Sequence, residues 1–369
     1  MREPHNPGPR RLAEFCTSVA LACLMLFAPT LAVAAAVPEF AGRLVDLGGH
    51  RLHVNCSGKG SPTVVVENGL GDFSFDWILV QNRVSQFTRI CTYDRAGYAW
   101  SDPGPKPRTF AQINLELRDA LSKLRERGPF ILVGHSYGGP VARNFAVTYP
   151  HEIAGLVLVD AAFEGARVGI GDHKTILLGD GAKGVDIPTP REDIRESDRP
   201  PLPAENTLKA ISPYHEKPDP MYNILPPLEQ SLQLWAQSLL NIYDAEESQR
   251  MWATEYFARQ LAKPQAGSLG ALPLIVLTRA KGGYGDDLDV PAAQMEAERK
   301  QGQANLARLS TNSQQIIVSS GHNMELEAPD KVCAAIHKIV DAIRLHRGSL
   351  SSASDIGHGA ISIPPGSPR

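Results

Sequence analysis

The stretch FILVGHSYGGPVA, residues 130–142, runs four apolar residues into a serine set between glycines. Gly134-His135-Ser136-Tyr137-Gly138 has the G-x-S-x-G spacing of a nucleophile exposed on a sharp strand-to-helix turn. A serine hydroxyl is a weak nucleophile until a base takes its proton. Of the 11 histidines, His322 is best placed for that task, because it follows the apolar run SQQIIV and precedes a helical run near the C-terminus. His135 adjoins Ser136, but a sharp turn should point it elsewhere, and His50 and His53 lie in a less favourable first hairpin. Charge developing on a carbonyl oxygen needs backbone N–H donors. Tyr137 offers one, and Leu70 in NGLGD, flanked by glycines, offers the other.

Such a serine needs a strand before it and a helix after it. The sequence from about residue 40 supplies both repeatedly. GRLVDLGGHRLHVNCSG reads as a hairpin turning at Gly48-Gly49, and PTVVVENG and TRICTYD read as strands. DFSFDWILVQNRVSQF has helical spacing. TFAQINLELRDALSKLRERG predicts a long helix with a glycine stop after a basic last turn. FILVG, GPVARNFAVTYP and GLVLVD read as strand, helix and strand, an alternation that argues for a mostly parallel sheet covered on both faces. YDRAGYAWSD reads as a mainly structural turn near the pocket.

Residues 163–268 break the alternation with proline- and charge-rich segments and helical pieces such as LEQSLQLWAQSLLNIY. An insertion of that length without strands is expected to pack as a helical cap. Trp235, Tyr243, Trp252, Tyr256 and Phe257 are its aromatics, as suited to ordinary helix packing as to lining a pocket. Residues 269–347 return to strand and helix with LPLIVLT, SQQIIVSSGH and PDKVCAAIHKIVDAIRLH. The Ser/Gly/Pro-rich stretch 348–369 is expected to be disordered. The core is therefore expected as 40–162 and 269–347 around the cap.

Composition narrows the partners. Lys+Arg 37 against Asp+Glu 40 leaves a net charge of −3, so no basic excess points to nucleic acid. Residues 1–36 join a basic start to an apolar run ending in Ala32-Val33-Ala34 and Ala34-Ala35-Ala36. That pattern predicts a secretory signal and a secreted or periplasmic protein. The alternative is an uncleaved membrane anchor, the only membrane contact expected. Cys16 and Cys23 would leave with the signal. Cys56, Cys91 and Cys333 would remain, too few for a disulfide scaffold but enough for one pair. No Cys/His cluster has metal-ligand spacing, and the expected chemistry needs no metal and no organic cofactor.

Taken together, strand-GHSYG-helix, the upstream NGLGD, YDRAGYAWSD and the terminal SSGH resemble the α/β-hydrolase superfamily over roughly residues 43–346. The resemblance implies an α/β fold with an eight-stranded, mostly parallel sheet flanked by helices, a cap between the sixth and seventh strands, and a triad in the order serine, acid, histidine. Many relatives carry His-Gly at the oxyanion loop. Asn68-Gly69 stands here, which leaves both as candidate substrate contacts. Most relatives place the acid after the strand that here reads LPLIVLT, where Asp286, Asp287 and Asp289 follow. Branches similar to haloalkane dehalogenases place it after the nucleophile helix, where Asp160 ends GLVLVD, and Asp160 is preferred. The family sets its second and fourth strands side by side, which would bring Cys56 near Cys91 for a disulfide.

The expectation is thus an exported serine hydrolase acting on a small ester-like substrate through an acyl-enzyme. A serine in place of an aspartate at 136 argues against epoxide hydrolase and dehalogenase chemistry. An amidase, an acyltransferase or a carbon–carbon bond hydrolase would use the same triad. The reading from another class is a non-catalytic binding protein on this fold.

Overall fold

Short runs of branched apolar residues, set between glycines and prolines, build the sheet. The computed structural model describes residues 38–39, 41–170, 174–177, 219–239, 241–246, 248–250, 266–280, 282, 291–345 and 350, all within the unit that begins at Pro38. The Gly48-Gly49 hairpin joins β1 (Arg43–Asp46) to β2 (Arg51–Ser57). Alternation follows with β3 (Val64–Glu67), α1 (Ile78–Val84), β4 (Ile90–Tyr93), α2 (Phe110–Lys123), β5 (Phe130–His135), α3 (Gly138–Thr148) and β6 (Ile153–Val159). A separate antiparallel pair, β7 (Arg167–Ile170) and β8 (Lys174–Leu177), and helix α4 (Pro227–Gln237) come next. The chain then runs through β9 (Leu274–Arg279), α5 (Ala292–Ala307), β10 (Ser313–Val318), α6 (Met324–Glu327) and α7 (Pro329–Arg344).

The main sheet has eight strands in the order β1-β2-β4-β3-β5-β6-β9-β10. Only β1/β2 and β2/β4 are antiparallel; the other five pairings are parallel. Parallel neighbours need crossover connections, and the helices supply them on both faces. Successive strand residues point to opposite faces. In β5, Leu132 joins one core with Leu117 of α2 and Phe145 of α3. Ile131 and Val133 join the other core with Val80 of α1 and Ile336 of α7. All of these side chains are removed from water, each worth about 1.5–3 kcal/mol. Burial on both faces explains why FILV reads as a continuous apolar run.

Local signals set several boundaries. Thr109 caps α2 by accepting the Gln112 N–H at 3.0 Å, an interaction worth about 1 kcal/mol. The predicted helix over DFSFDWILVQNRVSQF begins as a 3₁₀ turn, Ser74–Trp77, before α1. Its first turn is tied down by Asp76, which accepts the Phe73 N–H at 2.8 Å. Two elements depart from the expectation. The insertion opens with the β7/β8 pair, where branched residues stand on either side of a Gly-Asp dipeptide, instead of being free of strands. Helix α5 carries so few apolar residues that periodicity does not reveal it. Parts of the expected cap, the expected signal and the expected disordered tail lie outside the described residues. Among the described residues no helix is long and apolar enough to cross a membrane.

Cys56 of β2 stands directly opposite Cys91 of β4, and the two form a disulfide; Cys333 is free and buried. The bridge spans 35 positions. Closing a loop of that size stabilises the native state by about 3–4 kcal/mol through the unfolded chain. Replacing both residues by alanine should lower the unfolding free energy by that amount in chemical denaturation. Thiol titration of unfolded, unreduced chain lacking residues 1–36 should find one thiol, and three would contradict the bridge.

Candidate active site

Strand β5 delivers the serine. Ser136 follows its last residue with φ +47°, a left-handed conformation that costs a non-glycine residue about 1–3 kcal/mol. Three backbone hydrogen bonds hold it there. The Ser136 N–H donates to the Val159 carbonyl at 3.2 Å, and the Ser136 carbonyl accepts from Gly139 at 3.0 Å and Ala162 at 2.9 Å. The flanking glycines make the turn possible. A Cβ on Gly138 would lie 2.1 Å from the Glu67 carbonyl oxygen, and one on Gly134 would lie 2.6 Å from the Gly138 carbonyl oxygen. Helix α3 begins at Gly138, so its N-terminal peptide dipoles favour negative charge next to Ser136.

Strand β6 delivers the expected acid. Asp160 follows it, also left-handed at φ +37°, with its N–H donating to the Leu277 carbonyl at 2.9 Å. His322 reaches it from the loop after β10, with Nδ1 2.6 Å from Asp160 Oδ2. A carboxylate oxygen accepts, so Nδ1 carries the proton and Nε2 keeps the basic lone pair. His322 and Ser136 line the same cavity of about 890 Å³, together with Gly69 and Leu70. Asp286 and Asp287, the alternative acids, and Asp289 lie outside the described residues.

Two arginines share the carboxylate. Arg279 Nη1 donates to Asp160 Oδ2 at 2.7 Å, and Arg299 of α5 stands 3.8 Å from Oδ1. Arg279 Nη1 also lies 3.0 Å from His322 Nδ1. Both nitrogens carry protons, so that contact follows from sharing one acceptor and is not a hydrogen bond. Burial works against the charge on Asp160, but His322 and the arginines outweigh it and hold the carboxyl below its usual range. For His322, partial withdrawal from water and the charges of His135 and Arg279 outweigh Asp160, so the imidazole titrates below its ordinary 6.5.

The expected oxyanion loop is shaped by a residue that the sequence marked only as structural. Arg95, in YDRAGY after β4, is buried; Nη1 donates to the Asn68 carbonyl at 2.6 Å and Nη2 to the Gly69 carbonyl. In a trans peptide the C=O and the following N–H point in opposite directions. With the Gly69 carbonyl turned to Arg95, the Leu70 N–H is turned away from it. Among the described residues, neither the Leu70 nor the Tyr137 N–H has a protein acceptor. Arg95 also lies over the Tyr98 and Tyr137 rings, 4.9 and 5.2 Å from their centroids. The buried Asp-Arg pair directly after a strand end is the one sequence signal that could have identified it.

Of the other candidates, Asn68 and His135 are placed differently from expectation. Asn68 does not face the cavity. It is fully buried, and its Nδ2 donates to the Tyr93 carbonyl at 2.7 Å, so it ties β3 to β4. Gly69 does line the cavity. His135 does not point away: as the last residue of β5 it turns back under the loop after β10, its ring centroid 4.8 Å from that of His322. His50 and His53 are remote, held by Glu116 at 3.3 Å and Asp94 at 2.8 Å. Tyr243 lines the cavity, whereas Trp235 packs on Trp100 at 4.9 Å. Trp252, Tyr256 and Phe257 lie outside the described residues.

Residues 64–335 match the model of the Alpha/beta hydrolase family. The uncharacterized protein YbdG of Bacillus subtilis is 30% identical over 128 residues, which are 34% of this chain and 39% of YbdG. The chain spans well under half the length of the curated relatives it matches. Among solved structures, the epoxide hydrolase CorEH superposes with a TM-score of 0.53 at 18% identity, covering 83% of this chain and 100% of that one. CarC, a serine hydrolase involved in carbazole degradation, superposes with a TM-score of 0.52 at 16% identity, covering 82% and 99%. At these identities the likeness to both structures is one of fold.

The electrostatics predict a direction for His322. Asp160 favours the imidazolium, so Asp160→Asn should lower the His322 midpoint further below 6.5 in an NMR titration. A wild-type midpoint above 6.5, or a rise in the variant, would contradict this assignment of charges.

Proposed function

The chain belongs to the alpha/beta hydrolase family, and from that membership we propose that it is an exported serine hydrolase acting on carboxylic esters. The observation that carries the proposal is the 2.6 Å contact from His322 Nδ1 to Asp160, on a cavity that His322 shares with Ser136. Ser136 Oγ attacks the ester carbonyl carbon while His322 Nε2 takes its proton. The carbonyl π electrons move to oxygen, and the Leu70 and Tyr137 N–H groups receive that charge. Collapse breaks the bond to the alkoxy oxygen, which leaves as the alcohol with the proton from His322. Water then attacks the acyl-enzyme through the same base, and the carboxylic acid departs with Ser136 restored.

A serine nucleophile favours acyl transfer, because the resulting ester is one that water cleaves through the same histidine. The cavity has room for a small molecule, since ligand pockets commonly occupy about 300–1,000 Å³. Export draws support from the N-terminal basic-then-apolar sequence and from the Cys56–Cys91 bridge, which suits an oxidising compartment.

Hydrolysis of short-chain p-nitrophenyl esters tests the activity. Ser136→Ala should lower kcat by about 10⁴-fold or more, and His322→Ala by a similar factor, because the groups act as a unit. Turnover by Ser136→Ala equal to the parent would overturn the proposal. So would ligand binding without turnover by the parent, which would favour the binding-protein alternative.

A further inference from the structure

His135 stands one residue before the nucleophile, yet the reaction above gives it no part. Its side chain is 1% exposed, and both ring nitrogens meet oxygen atoms. Nδ1 lies 2.8 Å from Asp72 Oδ2, and Nε2 lies 3.1 Å from the His322 carbonyl oxygen. Neither an ionised carboxylate nor a carbonyl can donate, and a neutral imidazole has a single N–H. Only an imidazolium satisfies both contacts. A third oxygen, Oε2 of the buried Glu325, has no hydrogen-bond partner among the described residues and lies 3.8 Å from Nε2.

We propose that His135 is a buried imidazolium that clamps the oxyanion loop to the loop carrying His322 and keeps His322 unprotonated as the base. The clamp is continuous through named atoms. Asp72 Oδ2 accepts the Gly69 N–H at 2.9 Å and the His135 Nδ1–H, so one oxygen holds the turn that presents Leu70. His135 Nε2–H then holds the backbone of His322 itself. His135 is therefore a positioning residue, and its catalytic meaning rests on His322 being the base, as proposed above.

The surrounding charges are consistent with this arrangement. Asp72 from the loop after β3, Glu325 from α6, Asp160 after β6 and His322 after β10 act on the ring, while Asp76 of the following 3₁₀ turn, Glu327 of α6 and Arg95 act on Asp72 and Glu325 in turn. Burial opposes the charge on His135, but Glu325, Asp72 and Asp160 outweigh it and raise the imidazolium to about 10. Burial pushes Glu325 itself up to about 7, so across the range in which His322 titrates the charge on His135 is held by its hydrogen bond to Asp72. A fixed positive neighbour disfavours a second one, so it lowers the His322 midpoint, and its removal must raise that midpoint. Asp72, His135 and Glu325 bring ligand-type atoms within 4.8 Å of one another, a spacing that a metal ion also favours. Here the ring protons fill that space, and the imidazolium is the cation.

Histidine side-chain ¹⁵N–¹H spectra of the full chain, recorded from pH 5 to 9, test the proposal without reference to turnover. His135 should show two protonated ring nitrogens at pH 8. His135→Gln should move the His322 midpoint, and the acid limb of kcat/KM, to higher pH, and should lower kcat by about 10²-fold through misplacement of the base. Asp72→Asn supplies a second variant, in which the His135 ring should deprotonate at lower pH than in the parent. A singly protonated His135 at pH 8, an unchanged His322 midpoint in folded His135→Gln, or a stoichiometric divalent metal in the purified protein would overturn the proposal. A doubly protonated His135 in a chain with no ester hydrolysis would sustain the clamp and refute the assigned activity instead.

Discussion

The hydrogen bond from His322 to Asp160 joins residues 162 positions apart, and the architecture around it serves to bring those two loops together. Asp160 follows β6 and His322 follows β10, with β9 the one strand between them. Their separation in the sheet is therefore two strand spacings, about 9–10 Å between backbones, which two side chains can bridge. Ser136 follows β5, the neighbour on the other side of β6. Three chain segments remote in sequence reach one sheet edge because parallel strands all end on the same side.

The site is also a problem of charge disposal. Asp160 and Glu325 are buried carboxyl groups and Asp72 a partly buried one, all close to two histidines, and Arg95, Arg279 and Arg299 supply opposing charge. Unpaired buried charge costs several kcal/mol, so each group must find a partner or give up its charge. Asp160 finds His322 and Arg279. Glu67, buried beneath the oxyanion loop, is pushed up to about 7 by burial even with Arg95 and Tyr93 beside it. The backbone follows the same economy: Arg95 takes up two loop carbonyls and Asp72 takes up one loop N–H, while those of Leu70 and Tyr137 have no acceptor among the described residues.

Much of this was legible in the sequence for local reasons. Strand β5, the glycine pair around Ser136 and helix α3 adjoin one another, so a single thirteen-residue stretch declares them. The loop position of His322 is equally local, between a strand and a proline-initiated helix. The acid remained open among Asp160, Asp286 and Asp287, because which strand end faces His322 depends on the order of β6, β9 and β10 across the sheet. Arg95 and His135 were missed or misdirected for the same reason: their partners lie 26 and 187 positions away. Helix α5 gives little sequence signal because only Met295, Leu306 and a few alanines form its apolar stripe. It nevertheless braces the acid, through Arg299 and through Gln303, whose Nε2 donates to the Ala161 carbonyl at 2.7 Å.

In the proposed function, Ser136 is activated by a base that Asp160 holds in place. Intact-mass analysis after treatment with a fluorophosphonate, followed by peptide mapping, measures that activation directly. One covalent adduct on the Ser136 peptide of the parent, absent from Ser136→Ala and slowed in Asp160→Asn, is the predicted result. A folded parent that takes up no probe, or takes it up at another residue, would contradict the account.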